Sequence, residues 1–503
     1  MGDPLLAPIL SRIEENPGRL AVVDGSGAWS RQELLCAADG YAAAIRESVV
    51  ACKAIPLFCG RNKESVAAIL GCLRAGCAFA PLSPDQPSDR IRSCLTRLEA
   101  DCYISTLAVD GVGDLGTDGM ARVVPIAKAD RRIDASDDVP GRGLAYVLFT
   151  SGSTGVPKGV MVSRANLANT VAWSQEVLEW REGDVIGLVV NFYFDISVFD
   201  VFVSLSQGVP LAVVDAGVSP PAVISQLSAF GVTSIFAAPS FFSQFVRLGL
   251  VGDAGLSRIR RIISGGDFFP PRHVLSWVSC RPDVEVINAW GPTETSIVNT
   301  MHLVGVDDFA DLEAGRPAPV GRSHPKMRVV LVDDALRPVS PGTSGEICMT
   351  GDSVSMGYLG DPERTRQCYF EFEGEPAYRT QDLGIMDERG SLRVLGRLGS
   401  MTKVNGYRVD LQEVEGAVGE LQGVHRAVAF VRSVNLGIEE LWIAIECADL
   451  CAPAIEVVKE HCRRRLPNYM VPKRIFMVDA IPLTPNGKID RNELLSVCTS
   501  SCK

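Results

Sequence analysis

The chain has 503 residues, with 49 lysines and arginines against 60 aspartates and glutamates, and a formal net charge of −11. This acidic balance argues against nucleic-acid binding, which needs clustered basic residues. The length exceeds what one compact core usually accommodates, so a large body and at least one further domain are expected.

Processing and metal-binding signals are weak. The fifteen cysteines contain no C-x-x-C pair, so neither a disulfide framework nor a zinc site is predicted. The N-terminus MGDPLLAPIL has no basic region before its apolar residues, unlike a secretion signal. No apolar run reaches the length of a membrane span. We therefore expect a soluble, cytoplasmic protein that does not bind membranes.

Short apolar runs alternate with longer helical stretches from about residue 20 to 330. This alternation predicts a layered α/β architecture with parallel sheets. Examples of predicted strands are AVVDG (21–25), IPLFCG (55–60), VIGLVV (185–190) and SIFAAPS (234–240). Examples of predicted helices are KESVAAILGCLRAGCAFAP (63–81) and PPAVISQLSAFG (220–231).

The pattern changes twice in the second half of the chain. Between 327 and 350, two apolar runs joined by a Pro/Gly turn predict a β-hairpin, and hence an antiparallel element beside the α/β core. After GRLGS (396–400), a helix, two strands, a second helix and a basic tail predict a small α+β domain. We place the two domains at 1–397 and 398–503.

The segment FTSGSTGVPKGV (149–160) follows the apolar strand LAYVL. Glycines and hydroxyl residues after a strand allow backbone N–H groups and side chains to converge on phosphate oxygens. The P-loop pattern does not fit, because Pro157 stands at its second glycine and Gly159 follows Lys158. A purely structural glycine loop is the alternative. The candidate phosphate ligands are Thr150, Ser151, Gly152, Ser153, Thr154 and Lys158.

The sequence TSGSTGVPKG resembles the phosphate loop of the adenylate-forming superfamily, which includes nonribosomal peptide adenylation domains, acyl-CoA synthetases and luciferases. The resemblance extends over nearly the whole chain. The other motifs are WSRQEL (29–34), LRAGCAFAPLSP (73–84), NFYFDISVFD (191–200), NAWGPTET (288–295), GEICMTGDSVSMGYLGDPERT (345–365), YRTQDLG (378–384), GRLGSMTKVNGYRVDLQEVE (396–415) and PLTPNGKIDR (482–491).

The resemblance implies that the enzyme uses ATP and Mg²⁺. It makes Glu294 the metal carboxylate and Thr293 a contact of the α-phosphate. Adenine is expected beside Asn288 and Trp290, where tryptophan replaces the usual tyrosine and keeps its stacking face. The ribose is expected at Asp382 and Arg397. The residue before Asp382 is Gln381, where the family usually has glycine.

The resemblance also implies a mobile C-terminal domain. Lys488 would reach from it to the substrate carboxylate and to ATP, as a cation placed against developing charge. The hinge position, commonly acidic in the family, is Gly399, and glycine permits rotation there. After rotation, Lys403 and Gly406 would line a channel for phosphopantetheine. A surface lysine in a turn is the alternative for Lys488.

Asp195 stands where amino-acid-activating members place the acid that pairs with the substrate ammonium, and a buried carboxylate calls for such a cation. Eight further positions form the expected pocket, and only one is polar, so a compact apolar amino acid is predicted. They are Ile196, Phe199, Phe236, Ile262, Ser264, Ala289, Ile297 and Val298. This pattern is most similar to prolyl–carrier-protein ligases, so the interpretation is L-proline, with valine, alanine or another small aliphatic residue second.

Neither a carrier-domain serine motif nor a condensation motif is found in the chain. We therefore expect a separate carrier protein bearing phosphopantetheine to accept the acyl group, with coenzyme A as the alternative acceptor. Two rival functions stay open at this point. One is an acyl- or aryl-CoA ligase, and the other is an inactive module that senses ATP or an amino acid.

Replacing Lys488 by alanine is expected to abolish adenylate formation and to spare thiol transfer from a supplied adenylate, since the lysine charge is needed only where charge builds at phosphorus. Amino-acid-dependent pyrophosphate exchange measures the first half-reaction, and thioester formation measures the second. Equal loss of both half-reactions in Lys488→Ala would contradict the assignment.

Overall fold

A computed structural model of the protein describes residues 3–48, 53–107, 117, 120–125, 143–150, 157–397, 401–434, 438–447, 452–482, 489 and 491–500. The chain divides into two units. The first comprises residues 1–84, 94–149 and 158–398, and the second comprises residues 85–93, 150–157 and 399–503.

The strands up to residue 398 are β1 (Leu20–Asp24), β2 (Gly27–Ser30), β3 (Ile55–Phe58), β4 (Phe79–Leu82), β5 (Cys102–Ser105), β6 (Ala121–Arg122), β7 (Leu144–Thr150), β8 (Lys158–Ser163), β9 (Ile186–Leu188), β10 (Leu211–Val213), β11 (Ser234–Ala237), β12 (Arg261–Ser264), β13 (Glu285–Trp290), β14 (Thr300–Leu303), β15 (Arg322–Ser323), β16 (Met327–Val332), β17 (Gly345–Gly351), β18 (Tyr369–Phe372), β19 (Glu375–Met386) and β20 (Leu392–Arg397).

The α-helices in the same part of the chain are α1 (Leu6–Glu15), α2 (Arg31–Ser48), α3 (Lys63–Arg74), α4 (Ser88–Leu98), α5 (Arg164–Val177), α6 (Asp195–Gln207), α7 (Pro220–Ala229), α8 (Pro239–Arg247), α9 (Pro271–Cys280), α10 (Phe309–Glu313) and α11 (Pro362–Cys368). Within the described residues, every helix is too short or too polar to cross a lipid bilayer.

A nine-stranded sheet has the order β15-β14-β13-β12-β11-β9-β10-β1-β2. Its six central strands, from β13 to β1, are parallel, and the strands outside them are antiparallel. Helices α6 to α9 each follow one parallel strand and precede the next. The carboxyl ends of parallel strands share one edge of a sheet, where ligands commonly bind. The predicted alternation of strands and helices is confirmed here.

A second sheet has the order β6-β5-β3-β4-β7-β8. One predicted helix, 63–81, is wrong in its second half, because α3 ends at Arg74 and β4 begins at Phe79. Gly76 turns the chain between them with φ = 86°. Helix α3 is buried on all sides, and a continuous apolar run does not distinguish a buried helix from a buried strand.

The predicted hairpin is confirmed, since β16 pairs antiparallel with β17 from Met327↔Gly351 to Val332↔Glu346. It belongs to a larger antiparallel sheet in which β17, β19, β18 and β20 also pair. Gln381, within β19, has φ = 60°, a left-handed conformation that favours glycine. Glycine, which the family usually has at this position, would adopt this conformation without strain, whereas Gln381 adopts it at a cost.

The second unit contains its own sheet. Its elements are β21 (Met401–Val404), β22 (Tyr407–Asp410), α12 (Leu411–Gly419), β23 (Val424–Val434), β24 (Ile438–Cys447), α13 (Ile455–Arg465), β25 (Arg474–Val478) and α14 (Arg491–Ser500). Strand β24 pairs antiparallel with β23 and parallel with β25. One core cluster joins this sheet to α12 and α13, and another joins it to α14. The predicted fold class, a large α/β domain with an antiparallel element plus a small α+β domain, is confirmed.

Candidate active site

The most buried acidic side chain of the candidate site follows β13. This strand ends at Trp290, and the turn after it presents Thr293 and Glu294. The turn requires a glycine, because a Cβ on Gly291 would lie 2.6 Å from the carbonyl oxygen of Ile297. The Glu294 side chain is fully buried, at 0% exposure, and such a carboxylate needs hydrogen bonds or a cation.

Tyr358 supplies one of those hydrogen bonds. Its hydroxyl donates to Oε1 of Glu294 at 2.9 Å, and the Nζ atom of Lys158 lies 5.8 Å from the centre of its ring. Lys158 is brought there because β8 forms an isolated antiparallel bridge, Val160↔Tyr358, with this segment. Tyr358 therefore contacts both the predicted metal carboxylate and the lysine of the glycine-rich segment. Tyr358 lies within the motif at 345–365, but no role was predicted for it from the sequence.

Further tyrosines surround this carboxylate. The hydroxyls of Tyr358 and Tyr378 are 3.4 Å apart, and that of Tyr369 lies 2.7 Å from the Oγ atom of Ser355. Burial, and after it the negative charge of Glu294, raises the pKa of the Tyr369 hydroxyl. Mg²⁺ in nucleotide sites is commonly held by one or two carboxylates together with substrate phosphates. A buried carboxylate with a tyrosine holding one of its oxygens fits that role.

Asp195 and Thr293 come from different motifs and lie together. The Thr293 hydroxyl donates to Oδ2 of Asp195 at 2.6 Å. Asp195 is half-buried and is the first residue of α6, where the helix dipole favours a negative charge. Tyr146 faces the same charge: burial, and after it Asp195, raises the pKa of its hydroxyl. Among the described residues this buried hydroxyl has no hydrogen-bond partner.

Six of the eight predicted pocket residues belong to one large buried core cluster of the first unit. Phe199 and Phe236 pack edge to face with ring centres 5.3 Å apart. Six of the seven apolar members of the predicted pocket are buried in this cluster; they are Ile196, Phe199, Phe236, Ala289, Ile297 and Val298.

Ile262 and Ser264 do not join that group. In β12 the Cα partner of Phe236 is Ile263, and Ser264 pairs with Asn288. Successive side chains of a strand point to opposite faces of the sheet. Ile263 accordingly belongs to the cluster of Phe236, whereas Ile262 belongs to the core on the other face.

The two pocket positions that the sequence predicted on β12 are therefore each one residue away from the positions that face Phe236. Gly265 follows Ile263 on the pocket face, and a Cβ there would lie 2.9 Å from Cε2 of Phe236. Ile263 and Gly265 replace Ile262 and Ser264 as neighbours of Phe236. The hydroxyl of Ser264 is buried and has no hydrogen-bond partner among the described residues, but it lies on the opposite face.

The predicted adenine and ribose contacts lie on two neighbouring sheets of the first unit. The side-chain amide of Asn288 donates to the carbonyl oxygens of Ala318 at 3.2 Å and Pro319 at 2.9 Å. Trp290 is buried at the end of β13, against the antiparallel sheet. Asp382 on β19 is the register partner of Arg397 on β20, and their ribose contacts stay a prediction.

Several predicted residues lie outside the described residues, namely Ser151, Gly152, Ser153, Thr154, the hinge residue Gly399 and Lys488. Thr150 ends β7, and among the described residues its buried hydroxyl has no hydrogen-bond partner. Lys403 and Gly406 lie on the β21–β22 hairpin of the second unit, where Lys403 is the register partner of Arg408. Gly406 turns the hairpin with φ = 90°.

The fold is that of an adenylate-forming enzyme. The family model for AMP-binding enzymes matches residues 10–359, and the model for the AMP-binding enzyme C-terminal domain matches residues 413–488. The chain therefore belongs to the AMP-binding enzyme family, as its motifs indicated.

Individual relatives include modular peptide synthases. The chain is 31% identical to bacitracin synthase 3 of Bacillus licheniformis over 96% of its own length and 7% of that protein. It is also 31% identical to surfactin synthase subunit 2 of Bacillus subtilis (strain 168), over 96% of this chain and 14% of that protein. The chain thus spans a small part of the curated relatives that it matches.

Solved structures with the same fold extend over almost the whole chain. Holo-PA1221, described as an NRPS protein containing adenylation and PCP domains, matches with a TM-score of 0.83 and 25% identity, covering 98% of this chain and 84% of that one. The amide bond synthetase McbA from Marinactinospora thermotolerans matches with a TM-score of 0.84 and 24% identity, covering 97% of this chain and 99% of that one.

Replacing Tyr358 by phenylalanine is expected to weaken divalent-cation binding in the presence of ATP by about tenfold, because partners behind a metal ligand typically contribute that much. Electron paramagnetic resonance of Mn²⁺ with the ATP-bound protein measures the affinity directly. The ATP affinity at saturating Mg²⁺ is expected to stay close to that of the wild type.

Tyr369→Phe is the matched control, since it also removes a buried hydroxyl but one that contacts Ser355 rather than Glu294. Its cation affinity is expected to be unchanged. Equal Mn²⁺ affinities in Tyr358→Phe and Tyr369→Phe would show that the tyrosine does not orient Glu294.

Proposed function

We propose that this protein uses ATP to activate the carboxylate of a small apolar amino acid as an aminoacyl-AMP, and then transfers the aminoacyl group to the phosphopantetheine thiol of a carrier protein. Membership of the AMP-binding family supports the first step. The carrier is supported by the likeness to a solved protein that contains adenylation and PCP domains. The amino acid is supported above all by Asp195 and its hydrogen bond to Thr293.

In the first half-reaction, a carboxylate oxygen of the amino acid attacks the α-phosphorus of ATP. The new bond is the mixed anhydride, and the bond to the pyrophosphate leaving group breaks. Negative charge grows on the phosphate oxygens, and preorganised donors stabilise it. Lys158, only 8% exposed, would supply a fixed positive charge. Glu294 would hold Mg²⁺, which when bound supplies charge neutralisation at those oxygens.

Asp195 would orient the amino acid through its α-ammonium group. Oδ2 accepts a hydrogen bond from the Thr293 hydroxyl, which orients the carboxylate and links it to the turn that carries Glu294. Proximity of this kind converts binding energy into rate. Aryl and fatty acids have no ammonium group to pair with Asp195, and that difference favours amino acids over other carboxylates.

In the second half-reaction, the carrier thiol attacks the acyl carbon, the thioester forms, AMP leaves and the thiol proton is released. The roles of Lys488 in the first step, and of Lys403 and Gly406 in the second, are proposals taken from the family resemblance. We also propose, from the same resemblance, that residues 1–397 and 398–503 form two domains and that the second is mobile.

The corrected pocket strengthens the proposal of an apolar substrate. Ile263 and Gly265 replace the only polar member of the predicted set, so nothing on that wall satisfies a charged or amide side chain. We propose L-proline, whose secondary ammonium can pair with Asp195, and place valine and alanine second. Discrimination between them depends on about one methylene, which contributes roughly 1–3 kcal/mol.

Replacing Asp195 by alanine is expected to lower amino-acid-dependent exchange of labelled pyrophosphate into ATP by about 100-fold or more, because an unpaired ammonium is then left in the pocket. ATP binding, measured by calorimetry, is expected to persist. Asp334→Ala, which removes an exposed acid, is the control and should retain exchange.

The exchange assay uses proline, valine, alanine, D-alanine, benzoate and a fatty acid as substrates, with a separate carrier protein or coenzyme A as thiol acceptor. Exchange with proline alone, together with thioester formation on the carrier protein, supports the proposal in full. Exchange with benzoate or the fatty acid, or thioester formation only with coenzyme A, would favour a CoA ligase. No exchange despite ATP binding would favour a sensing module.

Truncating Ile263 to alanine is expected to shift the amino acid preference toward larger side chains by about tenfold in kcat/KM, because it enlarges the pocket beside Phe236. Ile262→Ala is the matched control on the same strand. It removes the same atoms on the other face and is expected to lower stability by about 2–5 kcal/mol without changing the preference. A preference that changes only in Ile262→Ala would reverse the assignment of faces.

A further inference from the structure

A cavity of about 670 Å³ lies within the first unit, away from the residues of the candidate active site. Its wall is built from α1, the start of α2, the loop 180–185 and the segment 207–210 at the end of α6. Asp195 begins that helix and Gly208 directly follows it. A helix rises 1.5 Å per residue, so these two residues are about 20 Å apart.

Four arginines from separate segments line this cavity; they are Arg12, Arg19, Arg31 and Arg181. Arg31 is the most buried, at 6% exposure. Its Nη1 atom donates to the carbonyl oxygen of Arg12 at 2.9 Å, and its Nη2 atom donates to that of Gly208 at 2.8 Å. No carboxylate among the described residues forms an ion pair with it.

The charge of Arg31 is therefore incompletely compensated. Burial, and after it the positive charges of Arg12 and Arg19, lowers the pKa of its guanidinium. The carbonyl oxygen that it contacts at Gly208 terminates α6, and a cation at a helix C-terminus is favourable. That contact accounts for Arg31 itself, but not for three further arginines around an open space.

The acidic residues at the cavity do not cancel these charges. Asp184 accepts hydrogen bonds from Arg260 and from the backbone N–H of Arg181. Burial would raise its pKa, but these hydrogen bonds hold it below the usual value. Asp184 is therefore already neutralised by Arg260.

The other acid that lines the cavity, Glu182, and Glu15 at the end of α1 are both exposed. Glu182 pairs with Arg19 at 3.1 Å, and Glu15 pairs with Arg12 at 3.0 Å. Exposed ion pairs are weak, so a more highly charged anion can displace them.

Trp180 adds an unused donor to the same wall. Its Nε1 atom is buried and, among the described residues, has no hydrogen-bond partner. The guanidinium of Arg261 lies over the indole ring, 5.4 Å from its centre, and adds a further positive charge next to Trp180. Buried donors in native proteins are nearly always satisfied by protein, water or ligand.

We propose that this cavity binds a small, soluble, phosphate-bearing anion. Guanidinium groups match phosphate oxygens in geometry as well as charge. The volume falls within the usual range of small-molecule pockets, so a pyrophosphate or a phosphate monoester can be accommodated as well as inorganic phosphate. This site is independent of the proposed amino acid activation.

Equilibrium dialysis of the full chain with labelled inorganic phosphate, and separately with pyrophosphate, tests the proposal. Saturating ATP is present to occupy the nucleotide site. One saturable site is expected to remain, and the double variant Arg19→Gln/Arg181→Gln is expected to weaken it about tenfold or more, since each arginine can donate charge-assisted hydrogen bonds. Both side chains are exposed, so the fold is expected to survive their replacement.

The matched control is Arg463→Gln/Arg464→Gln, which removes two exposed arginines of α13 and changes the net charge equally. It is expected to leave binding within about twofold of the wild type. Absence of a saturable site, or an equal loss in both double variants, would overturn the proposal. So would binding that disappears in Lys158→Ala and persists in Arg19→Gln/Arg181→Gln, because the anion would then occupy the nucleotide site.

Failure of the proposed function gives a different result. If ATP does not bind, the dialysis is repeated without it, and the comparison of the two double variants still measures the cavity. Tm measured against phosphate concentration provides a second readout, because a ligand of the folded state stabilises it. The rise in Tm is expected in the wild type and in the α13 variant and is expected to be reduced in Arg19→Gln/Arg181→Gln; an equal rise in all three would overturn the proposal.

Discussion

The hydrogen bond from Thr293 to Asp195 joins two segments that are 98 residues apart in the chain. One segment begins α6 and the other follows β13, and a parallel sheet brings such positions to the same edge. This bond places the proposed ammonium partner beside the turn that carries Glu294. The proposed amino acid pocket and the proposed metal carboxylate thus lie at the same edge of the sheet, as a reaction between an amino acid and ATP would require.

The hydrogen bonds of Glu294 connect this part of the site to the core of the first unit. Glu294 is buried, so its charge depends on hydrogen bonds and cations supplied by distant segments. Tyr358 donates to it and also packs against Lys158. A strand bridge between β8 and residue 358 holds these two together. The predicted phosphate-binding segment and the proposed metal carboxylate are therefore linked through one tyrosine, whose hydroxyl also lies 3.4 Å from that of Tyr378 on the antiparallel sheet.

Side chains of opposite charge lie at the two ends of helix α6. Asp195 stands at the N-terminus, and Arg31 donates to the carbonyl oxygen of Gly208 just beyond the C-terminus. Both arrangements agree with the helix dipole. A Cβ on Gly208 would lie 2.5 Å from Nη2 of Arg31, so the close approach depends on glycine. The proposed anion site and the proposed amino acid site thus lie at opposite ends of the same helix.

Sequence alone determined the family, the alternation of strands and helices, the β16–β17 hairpin and the identity of Asp195 and Glu294 as candidates, because those features reside in local patterns and short motifs. Tertiary structure alone decided which face of β12 meets Phe236, since one residue of displacement reverses every side chain of a strand. It also divided 63–81 into a helix and a strand. Contacts such as Tyr358 with Glu294, or Arg31 with Gly208, depend on how separate segments pack, and no local pattern in the chain encodes them.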